Sequence, residues 1–239
     1  MRKNRLAWQR ATCILACLLW SGAAGQEVGD FEELTFEIAT GVREILPIEP
    51  LPITFTLSNN SERPIKAHSA IRPGYGFVRL YIASENGPFE RFYSSDDACI
   101  SLIGKEDVLK PGFRDSVSTY VFYAQPRNLD KENVGKYLME SPGTYRLKAE
   151  FANGRDERTI ESNTLTIRAA EPTGQNAAAY RFLKNLQRSE REDVYYGSFL
   201  LHPPDRAKEL AKQEEFVRRF PRSRYTRYIH YAWGQRYRS

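Results

Sequence analysis

The sequence predicts a mainly β protein, an antiparallel β-sandwich over residues 26–170 followed by a small all-α unit over residues 171–239. Three observations predict it. Between Tyr145 and Phe151 the chain alternates strictly, with Tyr145, Leu147, Ala149 and Phe151 on one side and Arg146, Lys148 and Glu150 on the other. That is the period of two of a half-buried strand. Seven or eight such runs are separated by turn residues, among them Asn59-Asn60-Ser61, Asn86-Gly87, Pro111-Gly112 and Asn153-Gly154, with no helical period before residue 171. Beyond Glu171-Pro172-Thr173-Gly174 the apolar residues recur at three and four instead.

Residues 1–25 read as a secretory signal peptide. Arg2, Lys3, Arg5 and Arg10 precede an apolar run to Trp20, and Ala23 and Gly25 place cleavage after Gly25. The run is shorter than the roughly 20 residues a spanning helix requires, and Ile14-Leu15-Ala16-Cys17 is a poor lipidation motif. The expected location is therefore secreted or periplasmic, with no transmembrane segment after signal removal. Cys13 and Cys17 leave with the signal, so Cys99 stands alone and no internal disulfide can form.

Charge is segregated along what remains. Residues 26–170 carry 17 basic and 22 acidic side chains, whereas residues 171–239 carry 14 and 8. Two units with opposite surfaces are implied, and opposite signs also suit docking of one on the other.

In order, Leu34, Phe36 and Ile38 mark the first strand, and Leu51, Ile53, Phe55 and Leu57 the second. Pro52 is tolerable there only near a strand beginning or at an edge. Asn59-Asn60-Ser61 matches a glycosylation sequon, but its composition is also that of an ordinary turn. A weak strand over 64–71 is followed by Phe77 to Ala83, with Val78, Leu80 and Ile82 on one face, and by a short partner from Phe89 to Tyr93. Residues 94–108 read as irregular. Ser116 to Tyr123, the Tyr145 strand and Arg158 to Arg168 complete the set, the last turning Leu165 and Ile167 inward.

Pro-Gly-Thr-Tyr at 142–145, Glu49-Pro50, Leu-Lys-Pro-Gly at 109–112 and Ser162-Asn163 resemble the immunoglobulin-like domains of secreted bacterial proteins. The resemblance covers residues 30–170 and concerns the fold. It implies that the Tyr145 hydroxyl ties back to the backbone, as a tyrosine at this place does in such sandwiches.

The C-terminal part reads as three helices. The first runs from Asn176 to Arg188 with Ala179, Leu183 and Leu186 on one side. The second runs from an Asp205 cap to Phe220 with a Leu210, Val217, Phe220 stripe. Ser223 is placed to cap the third, whose face is Tyr225, Tyr228, Ile229, Ala232 and Trp233. Phe220 to Tyr225 is similar to the turn of a tetratricopeptide-like repeat, and a lone repeat must bury its faces against something else.

His68, His202 and His230 share no metal-ligand spacing, and no phosphate loop or nucleophile elbow is present, so neither metal nor cofactor is expected. Residues 218–238 carry the strongest surface signal: seven arginines, no acid, and aromatics interleaved. Arg218, Arg222, Arg224, Tyr225, Arg227, Tyr228, Tyr231 and Trp233 form the candidate partner-binding set. Such residues anchor protein interfaces and also suit an anionic surface. Export argues against nucleic acid. The expected function is non-catalytic, a binding or adaptor protein with a protein partner in the envelope. The competing reading is an envelope hydrolase or protease inhibitor using the loop from Asp96 to Cys99.

Overall fold

The computed structural model describes residues 28–71, 73, 77–92, 106–121, 137–153, 158–186 and 206–236. Its strands are β1 Leu34–Ala39, β2 Glu44–Ile45, β3 Leu51–Asn59, β4 Ile65–Ala67, β5 Val78–Ser84, β6 Glu90–Phe92, β7 Asp107–Leu109, β8 Arg114–Val121, β9 Gly143–Ala152, β10 Thr159–Glu161 and β11 Leu165–Ala169. The helices are α1 Gly174–Asn185, α2 Arg206–Arg219 and α3 Thr226–Arg236. The protein is mainly β, as the alternation predicts. The expected signal, the Asp96 to Cys99 loop, the Asp205 cap and His202 lie outside the described residues.

Three strands, ordered β1-β3-β8, form one antiparallel sheet. Five more, ordered β2-β11-β9-β5-β6, form a second with β10 also on β9, and β4 pairs with β7. The alternating apolar residues of both sheets meet in one core. Phe36 of β1 and Phe151 of β9 have ring centroids 5.6 Å apart, and Phe31 stacks on Phe151 at 5.9 Å. Leu51, Ile53, Phe55, Leu57, Leu147, Ala149 and Ile167 join them out of solvent.

Asn163 explains why the stretch from Arg158 to Arg168 splits into β10 and β11. Its side chain turns away from β9 and pairs like a peptide group with β1, accepting from Ile38 N at 2.9 Å and donating to Ile38 O at 3.0 Å. Pro52 lies beyond the last β1 partner of β3, Thr54, where β3 is paired only with β8. Gly112 adopts φ +78°, the left-handed geometry its turn requires, and its N–H donates to Asn59 O. The Tyr145 hydroxyl donates to Ser141 O at 2.8 Å, the tie the sequence led us to expect.

Several details differ from expectation. The pairing is not wholly antiparallel, because β2 runs parallel to β11 with Arg168 opposite Glu44. A two-residue strand has no period to read, which is why β2 is invisible in the sequence. Residues 107 and 108, read as irregular, form β7 together with Leu109 through pairing with β4. Ser223 lies three residues ahead of α3 and caps the turn that leads into it, its Oγ accepting from Tyr225 N at 3.3 Å and its O from Thr226 N at 3.1 Å.

The helices have their own core. Ala179 and Leu183 of α1, Phe216 of α2 and Ile229 of α3 are buried together with Tyr225 and Phe220. Leu46, Ile48 and Tyr137 of the β unit complete this cluster. Among the described residues, α2 and α3 are thus packed against α1 and against two loops of the β unit.

Candidate interaction surface on the C-terminal helices

Phe216 and Phe220 of the α2 end sit one helical turn apart, so both rings face α1. Their centroids are 5.1 Å apart, and Phe182 of α1 packs on them at 5.8 and 5.5 Å. The chain then turns at Pro221, and the side chains of α1 hold that turn. Arg222 N donates to Gln175 Oε1 at 2.9 Å, and Arg224 N donates to Asn176 Oδ1 at 2.8 Å. Fixed in this way, the next residues are delivered to the loop between β2 and β3.

That loop is unusual. Ile48 holds φ +67°, a left-handed conformation that a β-branched residue rarely adopts. It is stabilised by the bond from Ile48 N to Met139 O at 2.8 Å and by burial of the Ile48 side chain in the helical core. The same turn withdraws the Glu49 carboxylate from solvent, with 0% of the side chain exposed. Leu46 N donates to Glu49 Oε2 at 2.7 Å, Arg224 Nη2 to the same oxygen at 2.8 Å, and Arg227 Nη2 lies 3.5 Å from Oε1. Burial raises the Glu49 pKa above the usual carboxylate value, with Leu46 N–H and the two guanidinium groups opposing the shift. Beside it, Tyr225 is fully buried and its hydroxyl donates to Pro47 O at 2.8 Å. Burial, then the Glu49 charge, push that phenol far above its ordinary range.

The predicted set is therefore divided by the fold. Tyr225 points inward and offers nothing to a partner. Arg224 is a half-exposed ion-pair partner of Glu49, and Arg227, more exposed, reaches the same carboxylate and donates to Tyr228 Oη at 2.6 Å. Trp233 is half-buried, and its Nε1–H donates to Gln213 Oε1 at 2.7 Å. Tyr231 belongs to α3, but its side chain is not among those described. Arg218 and Arg222 are exposed and form no ion pair among the described residues. Sequence reasoning missed Glu49, Phe182 and Phe216, and it counted Arg219 in the basic stretch without its place over Phe182. The opposite net charges of the two parts hinted at a contact of the Glu49 kind without locating it.

Other candidates are also placed. His68 is buried and stacks on Phe77 at 4.1 Å, whereas His230 is exposed and meets the Trp233 ring edge-on at 5.3 Å. Among the described residues no group of three or more His, Cys, Asp or Glu could hold a metal ion, and no helix is long and apolar enough to cross a membrane. The sequon residue Asn59 is buried. Its Nδ2 donates to Arg63 O and Leu109 O, both at 2.8 Å.

Comparison with known proteins gives no family. No family model matches the chain, and no curated protein matches it either. Among solved structures, a β-glucosidase from Listeria innocua in complex with glucose is similar over 58% of this chain and 16% of its own, at 14% identity and a TM-score of 0.32. The Pseudomonas fluorescens alkylpurine DNA glycosylase AlkC bound to DNA is similar over 63% of this chain and 33% of its own, at 14% identity and a TM-score of 0.30. The chain spans about one sixth of the length of the glucosidases it matches. Likeness at this level carries no argument about activity.

Proposed function

We propose that the chain is a non-catalytic binding protein, exported to the cell envelope or beyond it. In this reading an immunoglobulin-like sandwich carries a tetratricopeptide-like helical unit, and a protein partner is held by the basic outer surface of that unit. The Tyr145 hydroxyl tie supports the immunoglobulin-like reading. The observation that carries the function is the outcome of docking. Once Tyr225 and Arg224 are engaged by the 46–49 loop, Arg218 and Arg222 remain exposed, in a stretch without an acid from Phe216 to the last residue. Arginine at an interface supplies planar, bidentate contacts at small ordering cost, which makes it a common anchor.

The test is capture from envelope extract by residues 26–239, with R218E/R222E alongside. Trp233 is the sole tryptophan of that stretch, so its emission verifies in each sample that α3 is docked. Proteins retained by the native sequence and lost from R218E/R222E support the proposal. An unchanged set of captured proteins would sink it.

A further inference from the structure

The two edges of the β1-β3-β8 sheet are finished differently. At β1 the Asn163 amide occupies both backbone groups of Ile38, whereas β8 ends the sheet among the described residues. Asn59 N donates to Phe113 O at 2.9 Å, which makes these two a hydrogen-bonded pair and sets the alternation that follows. The peptide groups of Asp115, Val117, Thr119 and Val121 therefore face β3, and those of Arg114, Ser116 and Ser118 face outward. One outward N–H, that of Ser116, is taken up by Asp115 Oδ1 at 2.8 Å. No lysine or proline, common guards of an open edge, lies between Arg114 and Val121. Burial also stops at this strand. Ile53, Phe55 and Leu57 of β3 are out of solvent, while Thr119 and Val117 opposite the first two are half-buried and Asp115 opposite the third is exposed.

We propose that β8 pairs with β8 of a second copy of this chain, antiparallel about a two-fold axis at Val117, joining two three-stranded sheets into one. The residues of β8 argue for both the occupant and the register. With the axis at Val117, Ser116 lies opposite Ser118 of the second copy, and their outward N–H and C=O groups exchange hydrogen bonds. Their hydroxyls extend rows already present, in which Thr56 Oγ1 meets Ser116 Oγ at 2.9 Å and Thr54 Oγ1 meets Ser118 Oγ at 2.8 Å. Arg114 comes opposite Tyr120, a cation beside a ring that is 42% exposed. Asp115 gives up Ser116 N to the incoming carbonyl and gains the Thr119 hydroxyl of the second copy, while Val117 meets its own counterpart and covers its half-buried side. Moving the axis to Ser116 or Ser118 would set Asp115 against Val117 or Val121. Parallel pairing in register would set Arg114 against Arg114 and Asp115 against Asp115, and like charges directly opposite are destabilising.

The experiment is sedimentation velocity on residues 26–239 over a concentration series, with Ser118→Pro and Val117→Cys alongside. Ser118→Pro removes an N–H that faces away from β3, so the ladder within the sheet is kept and each dimer loses two bonds across the axis. The native sequence is expected to pass from monomer to dimer as concentration rises. Ser118→Pro should raise the dissociation constant at least about tenfold, the scale of two backbone hydrogen bonds. Trp233 emission checks that this variant is folded, and if it is not, Val117→Cys decides. Cα atoms of a non-hydrogen-bonded antiparallel pair lie about 4.5 Å apart, within reach of a disulfide between copies under mild oxidation. The native sequence, whose lone thiol in this stretch is Cys99, provides the background. A monomer at every concentration, a dimer indifferent to Ser118→Pro, or a Val117→Cys variant that cross-links no more than the native sequence would each overturn the pairing. None of these outcomes depends on Arg218 or Arg222, so this inference and the function proposed above fail separately.

Discussion

Across 175 residues of chain, Arg224 Nη2 reaches 2.8 Å from the fully buried Oε2 of Glu49, closing the contact between the β unit and the helices. The two sides of this pair are unequal. Removing the guanidinium leaves a buried acid with less compensation, while replacing the acid by its amide keeps the acceptor for Leu46 N–H. Arg224→Ala is expected to cost about 2 kcal/mol, less than the roughly 3–5 kcal/mol of a fully buried pair because Arg224 is itself 37% exposed. Glu49→Gln should cost about 1 kcal/mol or less. Urea unfolding followed by Trp233 emission measures both, and the reverse ranking would contradict the geometry.

The same carboxylate sets a pH dependence of specific sign. Burial raises its folded pKa above the ordinary 4.5, so in the window just above that value the folded state holds a proton the unfolded state has lost. Stability contributed by this group is fully present below the unfolded pKa and declines as pH rises through the window to the folded pKa. The difference in unfolding free energy between native protein and Glu49→Gln should therefore shrink with rising pH there. A difference that grew with pH would show that the two arginines outweigh burial.

Ile48 offers a backbone test. At φ +67° a glycine is unstrained and an alanine is not. Both Ile48→Gly and Ile48→Ala lose the same packing in the helical core, to within a methyl group. Glycine is expected to be the more stable by about 1 kcal/mol, the reverse of the usual order outside left-handed positions. Comparison of urea midpoints decides it, and alanine proving the better would place Ile48 in an ordinary conformation.

Asn59 uses its whole amide: Nδ2 donates twice, and Oδ1 accepts from Ser61 N at 3.0 Å and Ser61 Oγ at 2.8 Å. Asn59→Ala should cost about 1–3 kcal/mol by taking the amide donor from Leu109 O, while Arg63 O keeps the Ser61 hydroxyl at 3.0 Å. Asn59→Asp should be worse near neutral pH, since it aims a carboxylate oxygen at those same carbonyls, and acid should partly rescue it. The buried amide should also escape glycosylation in a host able to attach glycans, which mass spectrometry reads directly. A glycan on Asn59 would mean that the turn opens.

The sequence by itself determined what repeats locally. Strands β1, β5 and β9 follow from alternation because each buries mainly one face, and every second side chain must then be apolar; β3 alternates in sequence as well, although its Thr56 and Ser58 are also buried. The α1 face of Ala179 and Leu183 follows from spacing by three and four, as does the face that runs from Tyr225 in the turn to Ile229 of α3, whereas the Tyr145 tie was implied by the resemblance to immunoglobulin-like domains. Only the tertiary structure decided which members of the arginine and aromatic stretch face outward. Tyr225 and Arg224 look like surface anchors until Pro47 and Glu49 are brought to them. Asn163 looks like a turn residue until Ile38 takes both ends of its amide. Such contacts join residues more than a hundred positions apart, one pair at a time, and a single long-range pairing leaves no period in the chain. What those pairings leave exposed in this stretch includes Arg218 and Arg222, the residues on which the proposed function rests.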